Sequence, residues 1–349
     1  MTSSTSSSDL REGRINVRTS ILKTENGRSR WWPAWTLAMA FLLLATGVWE
    51  WRLRSAAILP EYVDNRELWV ATRHDLNDWG SNSIAVLGAS RVQRAIHPET
   101  LARELGGRVA QLAVEGTSAI PLLEDLAVDP RFAGTILFSV APAFSFNRRL
   151  SKLDAGNQSA WVAYYRSQSR SQRIEHDLRL AIQGLFAFRS PDAAVTRVLP
   201  EIFKNGNLPG PDFKHTFRDR SVSVDYAKFD HPVNPQSIVD LYLENTEPYE
   251  AAEFAHLVNY VSALVEILKA KGCRVIFLRL PSGGIVRQLE RRMFPSERFW
   301  GYMEQNIGAR FVHFEDYPEL AGYLSIDGSH VASEKSAAFT KALARVIRF

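Results

Sequence analysis

The sequence predicts an α/β fold with a parallel sheet of about five strands, preceded by one transmembrane helix. Short apolar runs alternate with amphipathic stretches from residue 81 to the end of the 349-residue chain. The runs have the length of strands and the stretches have the length of helices, an alternation typical of a parallel sheet covered on both faces. An uncharged segment before this body is long enough to cross a hydrocarbon core as a helix.

The elements of the body follow one another in a regular order. The first three predicted strands are SIAVLG, RVAQLAV and GTILFSVAP, separated by the helices HPETLARELGG and SAIPLLEDLAVD. The alternation resumes later with the helix EPYEAAEFAHLVNYVSALVEILKAKG, the strand RVIFLRLP, a helical stretch through ERFWGYMEQNIG, the strand RFVHFED and a last helix. We therefore predict a single domain over residues 81–349.

The alternation lapses between about residues 150 and 235. A basic stretch, YYRSQSRSQRIEHDLRLAIQGLFAFR, predicts an amphipathic helix, and a loop rich in Pro, Gly, Asn and Asp follows it. We interpret this region as an insertion over one end of the sheet. The basic residues predict a solvated helix face rather than a lipid-binding surface.

The N-terminal region predicts a membrane anchor. Residues 1–30 are polar and serine-rich, which is typical of a disordered tail. Residues 31–49, WWPAWTLAMAFLLLATGVW, carry no charge and have tryptophans at both ends, where an aromatic belt would lie. The long leader and the lack of a small-residue cleavage site argue against a cleaved signal peptide. The alternative is a buried helix of a globular core.

The charges around this segment predict its orientation. Basic residues precede it at Arg14, Arg18, Lys23, Arg28 and Arg30 and follow it at Arg52, Arg54 and Arg66. The positive-inside rule therefore favours a cytoplasmic N-terminus and an exported body. Residues 50–80 predict a helical stalk that connects the transmembrane helix to this body.

Composition excludes several classes of protein. A net charge of +4 is too diluted to indicate nucleic-acid binding, and we find no zinc-finger or RNA-binding motif. The single cysteine, Cys273, excludes an intrachain disulfide framework and a cysteine-based zinc cluster. His231 has no ligand partner at metal spacing. We therefore expect no metal, no cofactor and no nucleic-acid partner.

Two stretches carry candidate catalytic residues. IAVLGASRVQRAIHP leaves the first strand through a small-residue turn to Ser90, and LSIDGSHVASEKSAAFTKALARVI places Asp327 and His330 in a loop before the last helix. Both stretches are expected at the carboxyl edge of the sheet, where open α/β sheets bind their ligands. A nucleophilic serine needs a nearby base and a group that orients the base. The alternative is that both stretches are only turns.

These motifs resemble the SGNH, or GDSL-type, hydrolase family. GAS stands where that family has its nucleophile block, and DGSH stands where it has its acid–histidine block. The resemblance covers roughly residues 80–150 and 255–349 and implies a flavodoxin-like three-layer sandwich. It also implies that Ser90 is the nucleophile, His330 the base and Asp327 the partner that orients His330.

The resemblance further implies an oxyanion hole formed by the backbone amides of Ser90 and of Gly116, which lies in LAVEGTSA after the second strand. The third family block, Gly-x-Asn-Asp, is missing, because LFSVAPAFSFN has no asparagine before Asn147. A missing donor weakens the stabilisation of the transition state. Arg91 and Arg279 are possible ligands for an anionic substrate, unless they are solvated or paired.

The sequence therefore predicts an enzyme anchored by one helix in the inner (plasma) membrane, with a periplasmic or extracellular catalytic domain. We expect a serine esterase or O-acyltransferase that acts on a cell-envelope or exported polysaccharide through an acyl-serine intermediate. The anchored subgroup that the chain resembles implies a membrane-bound O-acyltransferase as a partner besides the bilayer. The alternative is a non-catalytic glycan-binding or scaffolding subunit of an envelope polysaccharide assembly or acylation complex.

Overall fold

The structure is a computed structural model that describes residues 31–149, 155–229, 233–324 and 326–348. The chain divides into two units, Met1–Trp49 and Glu50–Phe349. In the first unit, the described residues belong almost entirely to the helix Trp32–Ser55, and nearly all of their side chains are exposed. The tail predicted over residues 1–30 lies outside the described residues.

Two of the described helices are long and apolar enough to cross a membrane, by length and composition alone. One is Trp32–Ser55, which has none of its apolar window buried. The other is Ala251–Ala270, which packs into the core through Phe254, Val258 and Val265. Trp32–Ser55 is therefore the better candidate membrane span of the two.

The second unit, Glu50–Phe349, is built on a parallel sheet, which confirms the predicted α/β class. The strands are β1 (Ser83–Leu87), β2 (Arg108–Gln111), β3 (Thr135–Ser139), β4 (Lys214–Thr216), β5 (Val222–Val224), β6 (Arg274–Arg279) and β7 (Arg310–His313). The main sheet has the order β2-β1-β3-β6-β7 with all pairs parallel, and β4 and β5 form a separate antiparallel hairpin. This is the flavodoxin-like order, which opens a crevice at the carboxyl ends of β1 and β3.

The strands form because both of their faces are buried. In β1, Ala85 and Leu87 point into one hydrophobic core, whereas Ile84 and Val86 point into the other. Strands that are buried on both sides read as continuous apolar runs, which is how the sequence identified them. The register aligns Ile84 with Thr135 of β3, so that the two strands end side by side.

Helices cover both faces and complete a three-layer sandwich, as predicted. One layer contains Arg66–Asp78, Ile120–Val128, Ala251–Ala270 and Trp300–Asn306. The opposite layer contains Ser90–Ala95, Pro98–Leu105 and Ser336–Ile347. The remaining helix after β6, Gly284–Met293, packs against Pro235–Asn245 in a smaller cluster.

Residues 50–80 contribute to the body, although the sequence predicts them to be a stalk. The helix Arg66–Asp78 buries Trp69 completely, and the indole N–H of Trp69 donates to the carbonyl oxygen of Leu112 at 3.0 Å. Leu76 is buried in the same core. Leu68 and Ala71 pack into a smaller cluster with Leu180, so this helix is buried on more than one side.

The region predicted as an insertion contains the helices Ala155–Ser167, Arg170–Leu185 and Val195–Asn205 and the hairpin of β4 and β5. Residues 150–154 and 230–232 of this region, His231 among them, lie outside the described residues. In the turn of the hairpin, the buried guanidinium of Arg220 donates to the carbonyl oxygens of Gln111 at 2.6 Å and Ala113 at 2.9 Å. The hairpin therefore lies against the carboxyl end of β2, beside the crevice.

Candidate active site

The turn after β1 places Ser90 at the carboxyl edge of the sheet. Gly88 adopts a φ of +150°, and a Cβ at this position would lie 2.7 Å from Val92 Cγ1 and 2.9 Å from Ser139 Cβ. The conformation and the space therefore both favour glycine. The chain then enters the short helix Ser90–Ala95, with Ser90 as its first residue.

Three side chains from the two ends of the body meet at this turn. The Ser90 Oγ atom lies 3.0 Å from Nε2 of His330, and Nδ1 of His330 lies 2.8 Å from Oδ2 of Asp327. The structure thus brings together the serine, histidine and aspartate that the sequence names. The distances are those of a nucleophile, a base and a group that orients the base.

The carboxylate of Asp327 is fixed from two sides. Its Oδ1 atom accepts backbone hydrogen bonds from Ser329 at 2.8 Å and His330 at 3.0 Å, which closes the turn. Its Oδ2 atom also accepts a hydrogen bond at 2.6 Å from the hydroxyl of Tyr226, which follows the hairpin. With Oδ2 facing Nδ1, the neutral imidazole carries its proton on Nδ1 and leaves Nε2 free to accept the Ser90 proton.

The surroundings of His330 favour its neutral form. Burial lowers the pKa of His330, its hydrogen bond to the Asp327 carboxylate raises it, and the charges of Arg94 and Arg91 lower it, with a net lowering. Arg94 stands at the rim of the site and pairs with Glu115 at 2.6 Å. His330 is therefore unprotonated at a pH where an ordinary histidine is partly charged.

We expect this environment to extend activity toward acid. A base has to be neutral, so kcat/KM for a small ester should fall as the pH drops through the lowered pKa of His330. Arg94→Met removes a positive charge, raises that pKa and should move the acidic limb to higher pH. The measurement is a pH profile of ester hydrolysis, with Arg345→Met on the last helix as control. An acidic limb that stays in place in Arg94→Met would contradict the electrostatic role of Arg94.

The backbone amides of Ser90 and Gly116 are uncommitted within the described residues. The amide of Val114 donates to the carbonyl oxygen of Gly88 at 3.1 Å, which ties the loop after β2 to the nucleophile turn. Gly116 follows in this loop with a φ of +76°. Within the described residues, neither the Ser90 nor the Gly116 amide donates a hydrogen bond to another protein group. Both N–H groups are therefore available to a ligand.

Asn147 does not take the place of the missing third block. The residues directly after β3 include Ala141 and Pro142. Asn147 is buried farther along, where Nδ2 donates to the carbonyl oxygen of Asn245 at 3.0 Å and Oδ1 accepts from the amides of Arg149 and Glu247. Asn147 thus holds two loops together.

Arg91 and Arg279 are arranged differently from the substrate ligands that the sequence suggests. Both are buried and form ion pairs with Glu290, each with a closest N···O distance of 2.5 Å. Burial raises the pKa of Glu290, but the charges of Arg279 and Arg91 and the Ser282 hydroxyl lower it overall to about 2. Both guanidiniums are therefore already paired inside the protein with one carboxylate, which offsets one of their two positive charges.

This buried cluster also supports the site, which the sequence did not indicate. The guanidinium of Arg91, the residue after Ser90, donates to the Ser329 hydroxyl at 3.1 and 3.2 Å. Ser329 precedes His330, so Arg91 links the turn after β1 to the loop that carries His330. Glu290 in turn fixes Arg91.

A cavity of about 460 Å³ opens at the carboxyl ends of β6 and β7, on the far side of this cluster. Arg279, Glu290 and His313 contribute to its wall, and Trp300 lines it as well. The side chains of Ser90, Asp327 and His330 do not line this cavity. The described residues contain no group of three or more His, Cys, Asp or Glu side chains that could hold a metal ion.

Comparisons with known proteins add little to this geometry. No protein-family model and no curated protein matches the chain. One solved structure that it resembles is that of a protein assigned to the G-D-S-L family of lipolytic proteins from Desulfitobacterium hafniense. The two share 11% sequence identity over 76% of this chain and 100% of that chain, with a TM-score of 0.31. An overlap this loose demonstrates no shared activity.

Proposed function

We propose that the protein is a membrane-anchored serine esterase or O-acyltransferase that forms an acyl intermediate on Ser90. The observation that carries this proposal is the pair of contacts made by His330, 3.0 Å from Ser90 Oγ and 2.8 Å from Asp327 Oδ2. The same arrangement of nucleophile, base and orienting acid performs acyl transfer on unrelated folds, so geometry is the appropriate criterion.

In the proposed mechanism, Ser90 Oγ attacks the carbonyl carbon of an ester while His330 Nε2 takes the hydroxyl proton. Asp327 stabilises the resulting imidazolium, and the amides of Ser90 and Gly116 bind the oxyanion. Collapse of the tetrahedral intermediate breaks the ester bond, and His330 returns its proton to the departing alcohol. Water then attacks the acyl-serine in an esterase, whereas a sugar hydroxyl attacks it in a transferase.

The finer parts of the proposal have different support. Anchoring rests on the exposed apolar helix Trp32–Ser55, and a cytoplasmic N-terminus rests on the basic residues that precede it. A location in the inner membrane with an exported domain, a polysaccharide substrate and a membrane-bound O-acyltransferase partner rest on the resemblance to anchored envelope-acylation proteins. The proposed ester chemistry rests on the contacts of His330 with Ser90 and Asp327.

We expect a fluorophosphonate probe to label the full-length chain at Ser90, because the probe reacts with a serine that a base has activated. Ser90→Ala should abolish labelling, whereas Ser171→Ala, an exposed serine on the helix Arg170–Leu185, should label like the wild type. The labelled residue is identified by mass spectrometry. Equal labelling of Ser90→Ala would exclude Ser90 as the nucleophile.

A non-catalytic subunit is the second proposal, and one observation favours it. Ala141 and Pro142 stand where a side-chain amide would assist the oxyanion, so the chemistry has fewer donors than the resemblance implies. In this proposal the body binds a glycan or an assembly partner through the same crevice. A folded wild-type chain that the probe does not label, and that retains glycan binding, would favour it over the enzyme.

A further inference from the structure

Two helices of the inserted region carry apolar side chains on their outward faces. On Arg170–Leu185 the exposed residues Ile174, Leu178, Ile182 and Leu185 repeat at the spacing of one helix face, and Ile174 is 70% exposed. On Val195–Asn205 they are Val195, Leu199 and Phe203, with Phe203 84% exposed. We refer to these seven residues as the apolar stripes.

Both helices that carry the stripes already bury other side chains in the body, so the stripes are additional apolar surface. The opposite face of Arg170–Leu185 is already buried through His176 and Leu180, and the second helix is buried through Val198. A helix that is packed on one side and carries a row of exposed apolar residues on the other is typical of an interaction surface. The basic residues alone, which predicted a solvated face, did not reveal this.

One end of the first stripe, Leu185, lies beside the helix end Glu50–Ser55, and Ala193, two residues before the second stripe, packs in the same cluster as Leu53. In the last turns of that helix, Arg54 donates to the carbonyl oxygen of Leu185 at 2.8 Å, and Glu50 accepts from the amides of Ala187 at 2.9 Å and Phe188 at 3.1 Å. Leu53 is fully buried in a hydrophobic cluster with Ala187 and Ala193. Residue 49 is the last of the predicted span, so this junction lies within one or two helical turns of it.

The region next to the proposed membrane span combines an apolar face with a few basic residues. Residues 166–205 contain seven basic and four acidic residues, but Arg166, Arg173 and Arg179 pair with Asp125, Asp78 and Glu67 outside this range. The exposed Arg170 and Lys204 lie beside the stripes, one helical turn before Ile174 and next to Phe203 in the chain. Two helices with an apolar face and a position next to a membrane span have the features of helices that lie in a membrane interface. A protein partner would not need the proximity to the span.

We propose that the apolar stripes insert into the lipid headgroup–acyl boundary and hold the body against the membrane surface. This inference rests on the proposed anchor, because the anchor supplies the proximity. In that arrangement the body is held at two places, the helix that ends at Ser55 and the stripes, so the active site keeps a fixed distance from the bilayer.

The test uses the full-length chain with Cys273→Ala, which removes its one native thiol. Single cysteines are introduced at Leu178 and Phe203 in the stripes and, as a control, at the exposed Lys341 on the last helix. Each is labelled with bimane and reconstituted in nanodiscs of phosphatidylcholine and phosphatidylglycerol, with or without a lipid that carries a nitroxide near the top of its acyl chain.

We expect the nitroxide lipid to reduce bimane fluorescence about twofold or more at Leu178→Cys and Phe203→Cys, because inserted helices lie at that depth. Lys341→Cys should be unaffected. A chain that remains with the nanodiscs but shows no more quenching at the stripes than at Lys341→Cys would overturn the inference and leave the anchor intact. A chain recovered free of lipid would overturn the anchor itself, and the inference with it.

Discussion

His330→Ala should lower the turnover of a small acetyl ester at least about 10³-fold, as Ser90→Ala should, because the two residues act as one unit. Without Nε2 at 3.0 Å, the Ser90 hydroxyl has no base to take its proton. The double variant should be no slower than either single variant, since removing a second member of a broken unit costs little more. The measurement is the steady-state rate for each full-length variant, with a melting curve recorded alongside.

Asp327→Asn is the informative companion to these variants. An asparagine can still accept the backbone hydrogen bonds of Ser329 and His330, so the fold should persist, but the imidazolium loses its charged partner. Turnover should therefore fall while the melting temperature stays close to that of the wild type. Near-wild-type turnover of His330→Ala would mean that DGSH is only a turn before a helix, and the non-catalytic subunit would then be the better proposal.

The largest loss of stability is expected from Glu290. Glu290→Leu leaves the buried guanidiniums of Arg91 and Arg279 without their carboxylate, and removing one partner from a buried ion pair costs about 3–5 kcal/mol of unfolding free energy. Glu315→Gln is the control. Glu315 is partly exposed and pairs with Arg287, so its removal should cost about 0–1 kcal/mol.

These free energies can be compared by guanidinium-induced unfolding of the full-length chain in detergent, followed by tryptophan fluorescence. A combined variant with Glu290→Leu, Arg91→Met and Arg279→Met should regain much of the loss, because no buried charge is then left alone. Equal stability of Glu290→Leu and Glu315→Gln would show that the cluster is solvated in solution, and Arg91 and Arg279 would again be open to a substrate.

The sheet and the central residues of the site could be predicted because both leave local patterns in the sequence. β1, β3 and β6 are buried on both faces and therefore read as apolar runs. Gly88 and Ser90 mark a turn directly after a strand, and Asp327 and His330 lie close together in the chain. Topology then brings these two stretches to one edge of the sheet. Their catalytic roles are still predictions.

Other parts of the site leave no local pattern. Glu290 lies in GIVRQLERRM, a helix with several charges, where a single carboxylate looks like part of a solvated face; its partner Arg91 is 199 residues away. Tyr226 begins a three-residue 3-10 helix, Tyr226–Lys228, 101 residues before Asp327. The burial of Arg91 and Arg279 depends on these distant contacts. Pairings of this kind become visible only when the fold is known.

The order of the strands also determines how late the site can form. β3 ends at Ser139 and its neighbour β6 begins at Arg274, so the centre of the sheet cannot close before the inserted region has been synthesised. Until then β3 presents an unpaired apolar edge, which is an aggregation hazard in a nascent chain. His330 follows β7 in the chain and is therefore synthesised later still. If the body is exported as proposed, a chain still crossing the membrane would carry Ser90 without His330, and the proposed reactivity would begin only after His330 has reached the edge of the sheet.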